Sequence, residues 1–182
     1  MVQILILGGL ETTAGVLGQM MLTLIEQPWL RSQLVDQPDL IPMAVEEMLR
    51  LNTSFVAIAR TATRDTEIGG HRLKKGDKVL MYWASANRDE AEFADPTSFN
   101  IGRATNRHLA FGAGPHRCAG SSLARLNLRV ALEELLPRLE NVALQEGAEV
   151  SFHTTFTRSP RSVPITFTPG QKSDPVNARR HR

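Results

Sequence analysis

The chain has a single cysteine, Cys118, among 182 residues. One sulfur cannot close an intramolecular disulfide, and it cannot by itself build a four-sulfur zinc or iron–sulfur site. A disulfide-stapled secreted scaffold is thereby excluded, and a reducing cytoplasm suits the composition. Basic residues are missing early: no Lys or Arg precedes Arg31, so the apolar start Met1 to Leu10 lacks the positive flank of a signal peptide. Long apolar runs are missing too, because Glu11 interrupts that start well short of the roughly 20 residues a membrane span needs. Nor is charge of one sign massed. The net charge of +2 is scattered along the chain, which gives nucleic-acid binding little support. With 42% hydrophobic and 22% charged residues, the chain is predicted to be soluble, globular and about one domain in size.

What is present is concentrated around the one sulfur. Phe111-Gly112-Ala113-Gly114-Pro115-His116-Arg117-Cys118-Ala119-Gly120 places Cys118 among three glycines, directly before a predicted helix from Ser121 to Leu136. On that helix Leu123, Leu126 and Val130 form one stripe, while Arg125, Arg129 and Glu133 follow one another four apart on another. A lone cysteine is a buried filler, a nucleophile or a single metal ligand. At a helix N-terminus the free N–H groups and the dipole favour a thiolate, and Arg117 and His116 add positive charge. Gly112, Gly114 and Gly120 are expected to adopt positive φ and to let the backbone approach a large flat ligand.

The pattern F-G-x-G-x-H-x-C-x-G resembles the haem-binding signature of the cytochrome P-450 monooxygenases. The resemblance implies a haem b cofactor (iron protoporphyrin IX) with Cys118 as its axial thiolate, pushing electron density to favour O–O cleavage. By the same resemblance His116 bonds a haem propionate and Phe111 packs beside the sulfur.

The rest of the chain extends the likeness. Met1 to Ile25 reads as one long helix, apolar nearly all round and suited to the inside of a larger protein. Within it, Gly8-Gly9-Leu10-Glu11-Thr12-Thr13 predicts a local kink. The segment resembles the family's distal helix, which implies that Gly8 and Gly9 leave room for dioxygen while Glu11 and Thr12 organise proton delivery. A second helix, Ile41 to Leu51, carries Glu47-Met48-Leu49-Arg50, with Glu46 also available to Arg50 at four apart. E-x-x-R here matches the family's hallmark, and Arg103 matches the third member of its structural Glu-Arg-Arg cluster.

Between these helices and the Cys loop, strands are expected over Ser54 to Thr61 and Val79 to Trp83, with turns at Gly69-Gly70 and Lys75-Gly76-Asp77. Tyr82 and Trp83 read as core. Likeness to the bacterial soluble members implies that Arg60 reaches a propionate and that Val56 and Ala57 face a substrate pocket. Asn141 to Pro169 reads as short strands. Phe156 to Phe167 resembles the family's last hairpin, with Phe156 as a substrate contact.

The sequence thus predicts a mainly α chain with small antiparallel β-sheets (α+β): residues 1–169 as the C-terminal haem-binding portion of the family's fold, residues 170–182 as a disordered basic tail. The resemblance covers only the C-terminal half of the family pattern. The expected function is that of a cytoplasmic monooxygenase, as a fragment of the full enzyme, acting on a small apolar organic substrate with dioxygen. Electrons come from NAD(P)H through a ferredoxin or flavodoxin partner, and Arg107, Arg117, Arg125 and Arg129 form a basic group suited to an acidic partner. The alternatives are a truncated, inactive haem-binding fragment and a non-catalytic haem-thiolate module.

Overall fold

A computed structural model describes residues 2–154 and 157–170 of the chain, with side chains from residue 8 onward. Its elements are helices flanked by short antiparallel pairs. Helix α1 (Val2–Glu26) is followed by α2 (Pro28–Asp36), started by Pro28 at its first turn, and by α3 (Ile41–Leu51), which matches the expected span. A one-turn helix α4 (Trp83–Ala86) and the longer α5 (Ser121–Leu135) complete the helical part. The core is where four of them meet: Val16, Met20 and Leu24 of α1, Leu30 and Leu34 of α2, Val45 and Met48 of α3, and Leu128 and Leu132 of α5.

Among the described residues, eight strands form two nested pairs of hairpins. β1 (Ile58–Thr61) pairs with β4 (Lys78–Met81), and between them lies the hairpin of β2 (Thr66–Ile68) and β3 (His71–Leu73). That hairpin turns on Gly69 and Gly70, both at positive φ (56° and 81°), as a tight two-residue loop requires. Likewise β5 (Leu139–Leu144) pairs with β8 (Ile165–Pro169), enclosing β6 (Phe152–Thr154) and β7 (Arg158–Pro160). The two groups touch through a bridge of Phe55 with Thr157 and the Arg158 N–H donated to the Ser54 carbonyl at 2.8 Å.

Contact between α1 and β7 depends on two residues without side chains. A Cβ at Gly15 would overlap the Ser159 side chain, and one at Gly18 would sit 2.7 Å from Pro160 Cγ. Buried Gln19 then ties the strand to the helix, donating to the Arg158 carbonyl at 3.0 Å while its Oε1 accepts from Arg158 Nη1 at 3.1 Å.

Several expected boundaries shift. The strand expected from Ser54 starts only at Ile58, and Trp83 opens α4 instead of ending a strand. Tyr82 is 52% exposed, not core, because it follows the end of β4 and caps α4 beyond a two-stranded sheet whose outer face carries exposed Leu80. Trp83 is half-buried, edge-on to Phe55 at 6.4 Å. The stripe Leu123, Leu126 and Val130 faces outward, while Ser121, Leu128 and Leu132 pack inward. The last hairpin is centred on Phe152 to Pro160, so Phe167 lies instead on β8, and Phe156 falls outside the described residues. The tail 171–182 does too. Among the described residues, no helix is long and apolar enough to cross a membrane.

Candidate functional site

The sequence motifs come together around α3. Glu47 (1% exposed) and Arg50 (0%) lie one turn apart on its buried face, not on the surface where such pairs usually sit. The carboxylate takes Arg50 Nε at 2.9 Å and Nη2 at 2.8 Å, a bidentate pair. The remaining Arg50 donors reach the carbonyls of Asn87 (2.8 Å), Pro96 (2.6 Å) and Ser98 (3.1 Å), so all five N–H groups are used. Glu47 also accepts from Arg103 Nε (3.2 Å), the Asn100 N–H (3.0 Å) and Asn106 Nδ2 (3.1 Å). Both guanidinium groups lie over the buried Phe93 ring, at 5.1 and 5.7 Å. Burial alone would raise the Glu47 pKa; the hydrogen bonds from Arg50 and Asn100 and the two guanidinium charges outweigh it and hold it below the usual range. Glu47, Arg50 and Arg103 are thus one cluster, which pins the 94–106 loop to α3.

Glu46 does not turn to Arg50. It receives Arg125 of α5 bidentately, at 2.6 and 2.9 Å, and His108 Nε2 at 3.1 Å. Burial pushes its carboxyl up, but the hydrogen bonds from His108 and Arg125 and the Arg125 charge win and bring its pKa down to about 2. Neighbouring Asn87, fully buried, accepts the Leu109 N–H at 2.6 Å and donates to Thr53 at 2.5 Å. Asn87 stands in Ala86-Asn87-Arg88-Asp89, a stretch that resembles the bacterial soluble members, but its bonding role carries no sequence signal; His108 and Asn106 were missed by sequence reasoning.

These anchors deliver the chain into the Cys loop. Gly112 and Gly114 have φ of 67° and 69°, conformations that favour glycine; Gly120, at φ −85°, needs no such freedom, contrary to expectation, and serves as the N-cap of α5. The Cys118 N–H donates to the Phe111 carbonyl at 2.9 Å, and the Cys118 carbonyl accepts from Ser121 N–H at the start of α5. Phe111 is half-buried with Arg125 4.5 Å from its ring centroid. From Ala113 through Gly120, including His116 and Cys118, the loop is exposed.

Around α1 the helix runs unbroken through the Gly8–Thr13 segment, where a kink was expected. The Thr12 hydroxyl donates to the Gly8 carbonyl at 2.6 Å, and Glu11 accepts from the buried Thr157 hydroxyl at 3.4 Å. Arg60 stands exposed on β1 opposite Val79, its Nη1 donating only as far as the adjacent Ala59 carbonyl at 3.1 Å. Val56 and Ala57 are half-buried just before β1, and the Val56 carbonyl accepts from Ala84 N–H at 3.2 Å. Of the four arginines expected to form one basic group, Arg107 pairs with Glu92, Arg125 with Glu46 and Arg129 with Glu133, so that group is largely neutralised.

These surroundings suit a porphyrin iron. The donor set is a thiol on an open loop, and a Cβ at Gly8, Gly9 or Gly114 would meet no atom within 4 Å, leaving room for a large flat group. His116 and Arg60, both exposed, supply cationic or N–H partners of the kind that acidic substituents take.

Comparison with known proteins agrees. The cytochrome P-450 family model matches residues 1–167. Nocardicin C N-oxygenase from Nocardia uniformis subsp. tsuyamanensis is 41% identical over 167 residues, covering 90% of this chain and 42% of that protein. Linalool 8-monooxygenase from Pseudomonas putida is 37% identical over 164 residues, 90% of this chain and 40% of its own length. The crystal structure of CalO2 superposes with a TM-score of 0.88 at 37% identity, over 93% of this chain and 43% of that one. The chain therefore spans about two fifths of the length of the relatives it matches. With its helices and small antiparallel sheets laid out as in those structures, the chain belongs to the cytochrome P-450 family.

Proposed function

We propose that the chain is the thiolate-bearing part of a cytoplasmic haem monooxygenase that acts on a small apolar organic molecule. The observation that supports this most is the Cys118 loop: an exposed sole cysteine, fixed by its amide to Phe111, between positive-φ glycines and the N-terminus of α5. Haem b bound there supplies dioxygen activation and insertion of one oxygen atom into the substrate. Cys118 holds the iron, with Phe111, Gly112, Gly114 and Gly120 forming the cradle and His116 and Arg60 holding the propionates.

Thr12 and Glu11 handle protons. Because the Thr12 hydroxyl spends its hydrogen on the Gly8 carbonyl, its oxygen lone pairs are left to accept from a water, and Glu11, exposed on the same turn, exchanges protons with solvent. Gly8 and Gly9 keep the adjacent space free. Val56 and Ala57 line the substrate side. A ferredoxin or flavodoxin brings electrons from NAD(P)H.

A second reading, haem binding without turnover, draws on the apolar groups left open: Leu10 is 68% exposed and Leu123 61%. The test is turnover of haem-reconstituted chain with NADPH, a ferredoxin, its reductase and isotopically labelled dioxygen, over a panel of small terpenes and fatty acids. Labelled product that disappears in Cys118→Ala supports monooxygenation. Its absence, with haem bound through sulfur, refutes turnover in favour of the second reading.

A further inference from the structure

We propose that Glu46, Arg125 and His108 form a positioning relay that sets the geometry of the Cys118 loop; its importance for catalysis rests on the haem reading above. Glu46 and Glu47 are adjacent on α3, so their side chains leave the helix about 100° apart. Glu47 serves the 94–106 loop, whereas Glu46 reaches α5 and His108. Three links then converge on residues 108–111. Glu46 accepts from His108 Nε2, and His108 Nδ1 accepts the Ala110 N–H at 3.2 Å, which places the ring proton on Nε2 and fixes the ring between the two. Arg125, locked bidentately by Glu46, sits over the Phe111 ring with its guanidinium carbon 4.5 Å from the centroid. The carbonyl of that same Phe111 holds the Cys118 N–H.

Bidentate geometry matters here because it fixes the plane of the guanidinium, and with it the face offered to the Phe111 ring. A lysine at 125 would keep the charge and lose both. The carboxylate is therefore connected to the cysteine through one side chain, one ring and one backbone hydrogen bond, with no contact of its own to the sulfur. Glu46, Arg125 and His108 are positioning residues, not catalytic ones.

Because Cys118 is the only thiol, its rate of reaction with the disulfide reagent DTNB reads the loop directly, without haem. Glu46→Gln and Arg125→Lys are each expected to change that rate about threefold or more, the low end of coupling within one hydrogen-bond network. The change persists at urea concentrations chosen to equalise global stability, which a merely structural role does not produce. In a Phe111→Leu background the Glu46→Gln effect shrinks, since the Arg125 arm passes through that ring while the His108 arm does not. Unchanged rates, or effects that simply add in the Phe111→Leu background, overturn the proposal. A haemin titration separates it from the function: changed thiol rates without sulfur-bound haem leave the relay standing and refute the haem reading. Sulfur-bound haem with unchanged rates does the opposite.

Discussion

Removing the Glu47 carboxylate is the most severe single change the structure describes. Glu47→Ala takes the acceptor from five N–H groups at once: two of Arg50 and one each of Arg103, Asn100 and Asn106. Arg50 cannot escape to water, being 0% exposed and held by three backbone carbonyls, so its charge stays buried and unpaired. Breaking a buried pair from one side costs about 3–5 kcal/mol. For a chain of this size that lowers Tm by roughly 6–20 °C. In urea it moves the midpoint by about 1.5–2.5 M at an m-value near 2 kcal/mol/M. The assay is equilibrium urea unfolding followed by far-UV circular dichroism, for Glu47→Ala, Arg50→Met and the pair Glu47→Met/Arg50→Met. The double change removes the orphaned charge along with its partner, so it should cost less than Glu47→Ala alone. A loss under about 1 kcal/mol in Glu47→Ala, the scale of an exposed pair, would refute the reasoning.

Three further outcomes follow from other contacts. Glu46 has its folded pKa lowered to about 2 from an unfolded value of 4.5, so its ionised form adds stability that is complete above that value and fades as pH falls toward 2. Stability of the native chain and of Glu46→Gln, measured against pH, should therefore differ at pH 6 and converge at acid pH; a constant gap would contradict this. Gly15→Ala places a methyl into Ser159 and should cost about 1–3 kcal/mol in urea unfolding, with Gly15→Ala/Ser159→Gly recovering part of it. Glu11→Ala and Thr12→Ala should leave the reduced carbon monoxide spectrum intact while lowering product formed per NADPH consumed; product yield equal to the native chain would remove the proton-delivery role.

Much of the fold was legible because local signals agreed with tertiary ones. Pro42 near its start and the apolar face of Ile41, Val45, Met48 and Leu49 marked α3 at about its observed span, and the glycine pair at 69–70 marked its turn. The stripe Leu123, Leu126 and Val130 marked α5 as a helix, but it is as apolar as the face that packs, and periodicity alone does not say which side meets α1 and α3. Tyr82 and Trp83 were misread for a similar reason: a run of β-prone residues gives no hint that β4 stops at Met81. At the site, contiguous motifs stood out and long-range partners did not. Glu47, Arg50 and Arg103 could be joined by pattern, but the choice of Glu46 for Arg125, 79 residues away, is made by packing of α3 on α5. His108 and Asn87 bind partners that only folding brings near, Glu46 and Thr53 among side chains and Ala110 and Leu109 through the backbone.

The central claim, that Cys118 binds haem iron through its sulfur, is tested most directly by the difference spectrum of the reduced, carbon monoxide-treated chain after reconstitution with haemin, set beside Cys118→Ala. The account predicts a Soret band at the thiolate position that gives the family its name, absent from the variant. A band at the position of non-thiolate haem in both proteins, or no bound haem in either, would contradict it.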